Sequence, residues 1–447
     1  MSLILISLNL IYFINSFILH EDTLPSQIHI SIAGTNSVRI NWKTQSATPS
    51  HVKWGINPSK LNSDFSTTEE CRYYLSQHGF HHSVLLTNLP SNKQIFYSCG
   101  NDEGGWNLGN LSFRSPPNKD DPVKIAIFGD WGYLDSKRRP LVVPAVEDLV
   151  KNWSAQFTWN SLSYLISAKN LTMIWHAGDI AYVDDSFAHN LLFSYEKIYD
   201  KFIEWIEPFA STIPYMVSVG NHEAECHSPA CLIERKKYAI PLSNFSAYNS
   251  RWRMPSLESH SSGLNMWYSF PYSSLHMVSI NTETDFPGAG EEHYGEFGKL
   301  PSGGFGREGE YLNWLENDLK TAAESRRLTG SPKWIIAVGH RPRDDIPEHL
   351  NLFEKYEVDI YFCGHTHSYK RLEKVNGVTY IVVGGAGNDE TDISFPNKKT
   401  TQTQKEVVFA TSRPAIGVLT VNITHLFWEL LDGLTHNILD NLTLLKF

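Results

Sequence analysis

Positive charge is in short supply. The 447 residues carry 38 Lys or Arg against 48 Asp or Glu, a formal net charge of −10. That balance argues against a nucleic-acid backbone as the main partner. Long apolar runs are scarce too. Beyond the first residues no segment approaches the ~20 apolar residues a spanning helix needs, so no stable membrane insertion is expected of the body of the chain. Only five cysteines are present, Cys71, Cys99, Cys226, Cys231 and Cys363, and their spacing is not that of a zinc finger. No internal repeat or low-complexity tract is visible, which excludes a repeat array.

What remains is large and aromatic. The length is too great for one ordinary core, so two or more domains are expected. A hydrophobic content of 41%, with 13 Trp, 20 Tyr and 23 Phe, suits substantial cores. Residues 1–20 are mostly apolar from Leu3 to Leu19 and give way to polar EDTLPSQ, the pattern of a secretory signal peptide. No Lys or Arg precedes the run, and the alternative is an uncleaved N-terminal anchor. N-x-S/T sequons start at Asn110, Asn152, Asn170, Asn244, Asn422 and Asn441. Behind a signal-like start they point to a glycosylated protein, secreted or in an endomembrane or lysosomal lumen. In an oxidising compartment Cys226 and Cys231 can close a short loop and Cys71–Cys99 can staple an N-terminal domain, leaving Cys363 free.

Residues 25–118 read as short strands separated by polar turns, with Trp42 on an alternating strand and expected between two sheets. This is the pattern of an all-β sandwich of fibronectin type III or immunoglobulin kind. A linker, SPPNKDDP, follows. From 123 to 373 apolar strand-like runs alternate with helix candidates at 144–153, 194–209 and 309–325, the last with Leu312, Leu315 and Leu319 at helical spacing. Apolar strands covered by helices imply an α/β layered domain of βαβ type with mixed sheets. Residues 374–447 return to strands and are expected to complete that domain.

The polar residues fall where the apolar strands end. KIAIF leads into GDWG with Asp130, MIWHA into GDIAY with Asp179 and Tyr182, and MVSV into GNHE with Asn221, His222 and Glu223. WIIAV leads into His340, and IYFC into GHTH with His365 and His367. Active-site groups of α/β sheets collect at the carboxyl ends of strands. A lone Gly-Asp or Gly-His is a common turn, and a lone Asn221 a turn residue. Five such ends in one chain are hard to reach by chance. Asp130, Asp179, Tyr182, Asn221, His340, His365 and His367 exceed what one ion takes, which indicates two metal ions sharing a carboxylate. Carboxylate, amide and imidazole suit hard or borderline ions.

These motifs resemble those of the calcineurin-like metallophosphoesterases, GD…GD…GNH…GH…GHxH. Within that superfamily the chain is similar to the purple acid phosphatases, whose distinguishing GDxxY stands here as Gly178-Asp179-Ile180-Ala181-Tyr182. GDxG is complete at 129–132, GNHE at 220–223 and GHxH at 364–367. The family's VxxH is Ala337-Val338-Gly339-His340, and its xYER is Ser368-Tyr369-Lys370-Arg371, with Lys in place of Glu. Both departures leave the ligands intact. The resemblance covers most of the chain, since the larger members also carry a fibronectin-like domain before the phosphoesterase domain.

The resemblance implies an acid phosphatase. A ferric ion would be held by Asp130, Asp179, Tyr182 and His367, and a divalent Zn, Mn or Fe by Asp179, Asn221, His340 and His365. A hydroxide held by the pair would attack phosphorus in line in a small phosphate monoester. His222 would orient the phosphate or protonate the leaving oxygen. His349 and Arg341 are weaker candidates for substrate contacts. Two alternatives stay open: a phosphodiesterase or nucleotide hydrolase of the same superfamily, and a secreted binding protein with an inactive phosphoesterase domain.

Overall fold

The structure is a computed structural model that describes residues 22–62, 69–133, 155–187, 192–290, 298–388 and 406–446. The signal-like run, the expected helix at 144–153 and the Asn152 sequon lie outside these residues. Among the described residues nine strands come first: β1 (Ser26–Ile32), β2 (Val38–Thr44), β3 (His51–Asn57), β4 (Lys60–Asn62), β5 (Glu69–Arg72), β6 (Phe80–Leu86), β7 (Gln94–Asn101), β8 (Gly105–Trp106) and β9 (Leu111–Arg114). They form one sheet ordered β1-β2-β6-β5 and a second ordered β4-β3-β7-β8, with β9 also on β7. Side chains alternate across a strand, and both faces of β1 and β2 are used. Ile28, Ile30, Ile32, Val38, Ile40 and Trp42 enter the sandwich core. The intervening polar residues are buried on the other face, against the rest of the molecule. There Ser31 donates to the Arg253 carbonyl at 2.6 Å, Arg39 meets Glu258 at 2.7 Å and Lys43 meets Asp200 at 2.7 Å.

Two larger sheets follow. The first is ordered β12-β11-β10-β20-β21-β22 and the second β13-β14-β15-β16-β18-β17-β19. Their strands are β10 (Val123–Phe128), β11 (Met173–Ala177), β12 (Tyr215–Ser218), β13 (Tyr268–Tyr272), β14 (Leu275–Ser279), β15 (Trp334–Val338) and β16 (Ile360–Cys363). Then come β17 (Tyr369–Leu372), β18 (Thr379–Val383), β19 (Val407–Thr411), β20 (Ala415–Val421), β21 (His425–Asp432) and β22 (Ile438–Leu445). In β11, β12, β15, β16 and β18 every residue is buried, as strands covered on both faces must be. The sheets meet through Phe362 on Trp428, with ring centroids 4.7 Å apart, and through Ser218 and Ser279, whose hydroxyls are 2.9 Å apart.

Helices cover the outer faces. Tyr195–Ala210 buries Ile198, Tyr199, Phe202, Ile203, Ile206 and Phe209, a helical stripe set between β1 and the ring of Trp131. Glu310–Thr329 buries Tyr311, Leu315 and Leu319 and ends at Gly330, whose φ of +73° closes the last turn. Strands β10, β11 and β12 run parallel, and so do β14, β15, β16 and β18. The carboxyl ends of each parallel set therefore open on one edge, where the polar turns lie.

The cysteines correct one expectation. Cys226 and Cys231 form a disulfide, but Cys71, Cys99 and Cys363 are all free. Cys71 sits on β5 and Cys99 on β7, strands of different sheets, and Cys99 is fully buried in the core that separates them. Among the sequons Asn110, Asn170, Asn244 and Asn441 are exposed, while Asn422 is half-buried. No helix among the described residues is long and apolar enough to cross a membrane.

Candidate metal centre

Each apolar strand delivers its polar residue through a tight turn. The pairing of β10 with β11 continues past the strand ends: the N–H groups of Asp130, Trp131, Gly132 and Tyr133 donate to the carbonyls of Gly178, Asp179, Ile180 and Ala181. Asp130 and Asp179 are thereby stacked side by side. Asp130, Asp179, Tyr182 and His365 have positive φ, at 61°, 50°, 49° and 66°. Left-handed backbone at non-glycine residues is uncommon, and its concentration at one spot is typical of functional sites. Neighbouring glycines make room. A Cβ on Gly220 would lie 2.2 Å from Asp179 Oδ1, and one on Gly364 would lie 2.3 Å from Asp130 Oδ2.

Seven side chains from the five turns converge. Asp179, His340 and His365 offer ligand atoms all within 4.8 Å of one another, and so do Asp130, Asp179 and His367. Asp179 belongs to both groups. Asn221 Oδ1 lies 3.1 Å from His340 Nε2 and 2.9 Å from His365 Nδ1. Tyr182 Oη lies 2.9 Å from His367 Nε2, 3.2 Å from Asp130 Oδ1 and 3.4 Å from Asp179 Oδ2. The phenol thus sits on one side of the shared carboxylate and the Asn221 amide on the other.

The donor set fits cations. His340 Nδ1 faces the Ala177 carbonyl at 3.0 Å and must donate to it, so its Nε2 turns a lone pair towards Asp179 Oδ2 at 2.9 Å and Asn221 Oδ1 at 3.1 Å. The Asn221 Nδ2 donates to Glu225 Oε1 at 3.1 Å, which fixes Oδ1 on the inner side. In the neutral tautomer that the Ala177 carbonyl selects, lone pairs of His340, Asp179 and Asn221 meet at one point. Burial would lower the His340 pKa, but the Asp179 carboxylate pushes it up to about 10. Burial would raise the Asp179 pKa, but His340 and His222 hold it well below the carboxylate range. The Asp179 charge that holds a proton on His340 is the charge a cation would meet in its place.

His222 stands beside this set. Its Nδ1 donates to Asp184 Oδ2 at 2.7 Å, and its Nε2 lies 3.9 Å from Asp179 Oδ2. Its ring packs on that of Tyr182 with centroids 4.2 Å apart. Arg341 meets the buried Glu283 carboxylate through Nε and a terminal nitrogen, both at 2.8 Å. His349 requires a correction as a substrate contact. It is fully buried, with Nε2 2.8 Å from the Tyr311 hydroxyl and its ring edge-on to Phe286, and burial lowers its pKa to about 4. It is a core histidine on the inner face of the helix Pro347–Lys355.

Residues that carried no assignment in the sequence also matter. Glu223 accepts backbone N–H bonds from Asp179, Ile180 and Gly220 at 3.0, 2.9 and 2.8 Å, tying two ligand turns together. The only sequence signal for it is the last letter of GNHE. Asn388 donates to the Asp130 carbonyl at 3.0 Å and to Tyr182 Oη at 3.2 Å.

Comparison with known proteins agrees with this geometry. Residues 123–369 match the calcineurin-like phosphoesterase family, residues 25–113 the purple acid phosphatase N-terminal domain, and residues 377–441 the iron/zinc purple acid phosphatase-like protein C domain. The chain is 30% identical over 437 residues to probable purple acid phosphatase 20 of Arabidopsis thaliana, covering 92% of this chain and 84% of the relative. It is 28% identical over 412 residues to human acid phosphatase type 7, covering 82% and 78%. Among solved structures it shares the fold of purple acid phosphatase PPD1 from yellow lupin, with a TM-score of 0.68 at 18% identity over 94% of this chain and 74% of that one.

Proposed function

The chain belongs to the purple acid phosphatase family and is an acid phosphatase with a binuclear metal centre; from that premise we propose which residues hold which ion and what the others do. Asp130, Asp179, Tyr182 and His367 hold a ferric ion, and Asp179, Asn221, His340 and His365 hold a divalent ion, zinc, manganese or iron. The observation that carries this division is Asp179, common to both ligand groups, with the Tyr182 phenol 3.2 Å from Asp130 and 2.9 Å from His367. Phenolate and carboxylate are hard anionic donors that favour the more highly charged ion. When bound, the two ions supply Lewis acidity towards the phosphoryl oxygens and lower the pKa of the attacking water.

The substrate is a small phosphate monoester. Water oxygen bonds to phosphorus and releases one proton to solvent, the ester P–O bond breaks, and the leaving oxygen takes up one proton in exchange. His222 presents Nε2 to the same space as the ligands, and the Asp184 bond to Nδ1 keeps the ring in that orientation. It orients the phosphate or supplies the proton to the leaving oxygen. Arg341, held by Glu283, follows His340 directly in the chain. The disulfide and the exposed sequons at Asn110, Asn170, Asn244 and Asn441 support a glycosylated protein of an oxidising compartment, secreted or in a lysosomal lumen.

The test combines metal analysis, a visible spectrum and hydrolysis of an aryl phosphate near pH 5, a range where an imidazole acts as an acid (about pH 5–8). Purified protein should contain iron, absorb visible light and turn over. Tyr182→Phe should bleach the colour and leave the fold intact. A colourless, iron-loaded wild type would overturn the ferric assignment.

A further inference from the structure

A second cluster of titratable groups lies against the metal centre, and most of it has no part in the chemistry above. Asp184, Asp185 and His227 gather round His222, with ligand atoms all within 4.8 Å of one another. Glu225 adjoins them. The contacts close a ring. Asn221 Nδ2 donates to Glu225 Oε1 at 3.1 Å, and Glu225 Oε2 lies 2.8 Å from His227 Nε2. His227 Nδ1 lies 3.1 Å from Asp184 Oδ2 and 2.6 Å from Asp185 Oδ1, and Asp184 Oδ2 accepts from His222 Nδ1 at 2.7 Å. Asn221 and His222 are consecutive residues, which completes the circuit.

We propose that His227 is a positioning residue: as an imidazolium it orients Asn221 through Glu225 and His222 through Asp184, fixing a metal ligand and the phosphate-facing histidine together. This rests on the reading of Asn221 as a ligand of the divalent ion. Both His227 nitrogens face carboxylate oxygens, and carboxylates only accept, so both nitrogens carry protons. Burial alone would depress its pKa, but the bonds to Asp184, Asp185 and Glu225 push it up to about 12.

Each link removes a specific freedom. An asparagine amide can present either its oxygen or its nitrogen to a site, and the Glu225 acceptor selects the oxygen. A histidine ring can flip or change tautomer, and the Asp184 acceptor leaves Nε2 as the atom facing the centre. His227 holds both acceptors at once. The loop that carries it is itself pinned. Glu225 bridges to Lys299, the Cys226 N–H donates to the Gly298 carbonyl, the His227 N–H donates to the Asp184 carbonyl at 3.2 Å, and Cys226 is joined to Cys231. Gly298 lies flat on the ring: a Cβ there would be 2.4 Å from His227 Cδ2.

His227→Gln tests this, because a glutamine amide cannot donate from both ends of the ring. The first readout is retention of the divalent ion in a chelator titration, which needs no turnover. Partners that orient a metal ligand are worth about 10–100-fold in affinity or activity, and His227→Gln should lose retention by that order. The second is steady-state hydrolysis of an aryl phosphate. A fall in kcat larger than any change in KM is expected, and His227→Gln should cost much less on a His222→Ala background. A merely structural residue would cost the same on both. Wild-type retention together with wild-type kcat would overturn the proposal, and so would full additivity with His222→Ala. If His227→Gln does not fold, Glu225→Gln reads the same link, and unchanged retention there overturns it. A wild type that binds no divalent ion and hydrolyses nothing would bring down the functional reading and this proposal with it; a competent wild type with an indifferent variant removes only the role of His227.

Discussion

At the scale of single residues, the centre depends on groups that touch no substrate. Glu223 is the clearest. Its carboxylate gathers three backbone N–H groups from the turns that carry Asp179 and Asn221, so it fixes how far apart those ligands sit. Burial raises its pKa first and the nearby Asp179 charge adds to that, while the Ile180 and Gly220 N–H groups oppose both by favouring the charged form. Glu223→Gln keeps the shape but turns an NH2 towards a backbone N–H. It should fold, lose metal from the centre and fall about 10–100-fold in activity. Metal content per chain and steady-state kinetics check this, and a fully metallated variant with normal kcat would count against it. The seven converging side chains stand out in the sequence because each lies in a glycine-containing turn that follows an apolar run. Glu223 does not, because two of its three partners are backbone groups of a turn more than forty residues away. His349 was misread for a related reason. It lies four residues before Phe353 on the inner face of a nine-residue helix, and the charges around it in the sequence do not show which face of that helix is buried.

At the scale of elements, the decisive device is the crowding of the turns. Parallel β10 and β11 keep their register beyond the strand ends, so their ligand turns ride on one another as an extension of the ladder. Gly220 shows how little slack is left. Its φ of −127° suits any residue, so only space excludes a side chain. A Cβ would stand 2.2 Å from Asp179 Oδ1 and 2.5 Å from the Asp179 nitrogen. Gly220→Ala should therefore displace the Asp179 carboxylate. Overpacking of this kind costs about 1–3 kcal/mol, and the metal centre should suffer more than the fold. The expected result is a modest drop in thermal midpoint with a large loss of bound metal, measured on the same preparation; a normal metal load would refute it. Strand identity was readable from apolar runs and their boundaries. Strand pairing was not. β10 takes β20 as a neighbour almost 300 positions on, and nothing local encodes that. The same blindness put Cys71 and Cys99 in one staple, although β5 and β7 lie in different sheets.

At the scale of the whole molecule, the sandwich and the phosphoesterase region are joined by buried polar contacts as well as apolar ones. Arg251 is fully buried between them, 2.5 Å from Glu196 and 2.7 Å from Asp200, and Asp200 also holds Lys43 of β2. Buried histidines are spread across the same body. His29 packs its ring on Trp252 at that junction, His82 stacks on Trp42 within the sandwich, and His349 lies among Phe286, Tyr311 and Phe353. Burial is the leading cause that lowers each of the three from 6.5 to about 4. Between pH 4 and 6.5 the unfolded chain therefore binds protons that the folded chain refuses. Stability contributed by these neutral rings is complete above the unfolded value and is lost as pH falls through that window, each on the order of 3 kcal/mol. His227 has the opposite sign. Its folded pKa of about 12 means that its contribution is complete below 6.5 and is lost as pH rises. The two tendencies predict greatest stability near pH 6.5, not at the more acidic pH where the site chemistry is to be assayed. Urea midpoints measured from pH 8 down to pH 4.5 should peak near that value. His349→Gln, which keeps a partner for the Tyr311 hydroxyl but takes up no proton, should flatten the acid limb relative to wild type. An acid limb parallel to that of the wild type would show that His349 takes up its proton equally in both states and that the loss of stability lies elsewhere.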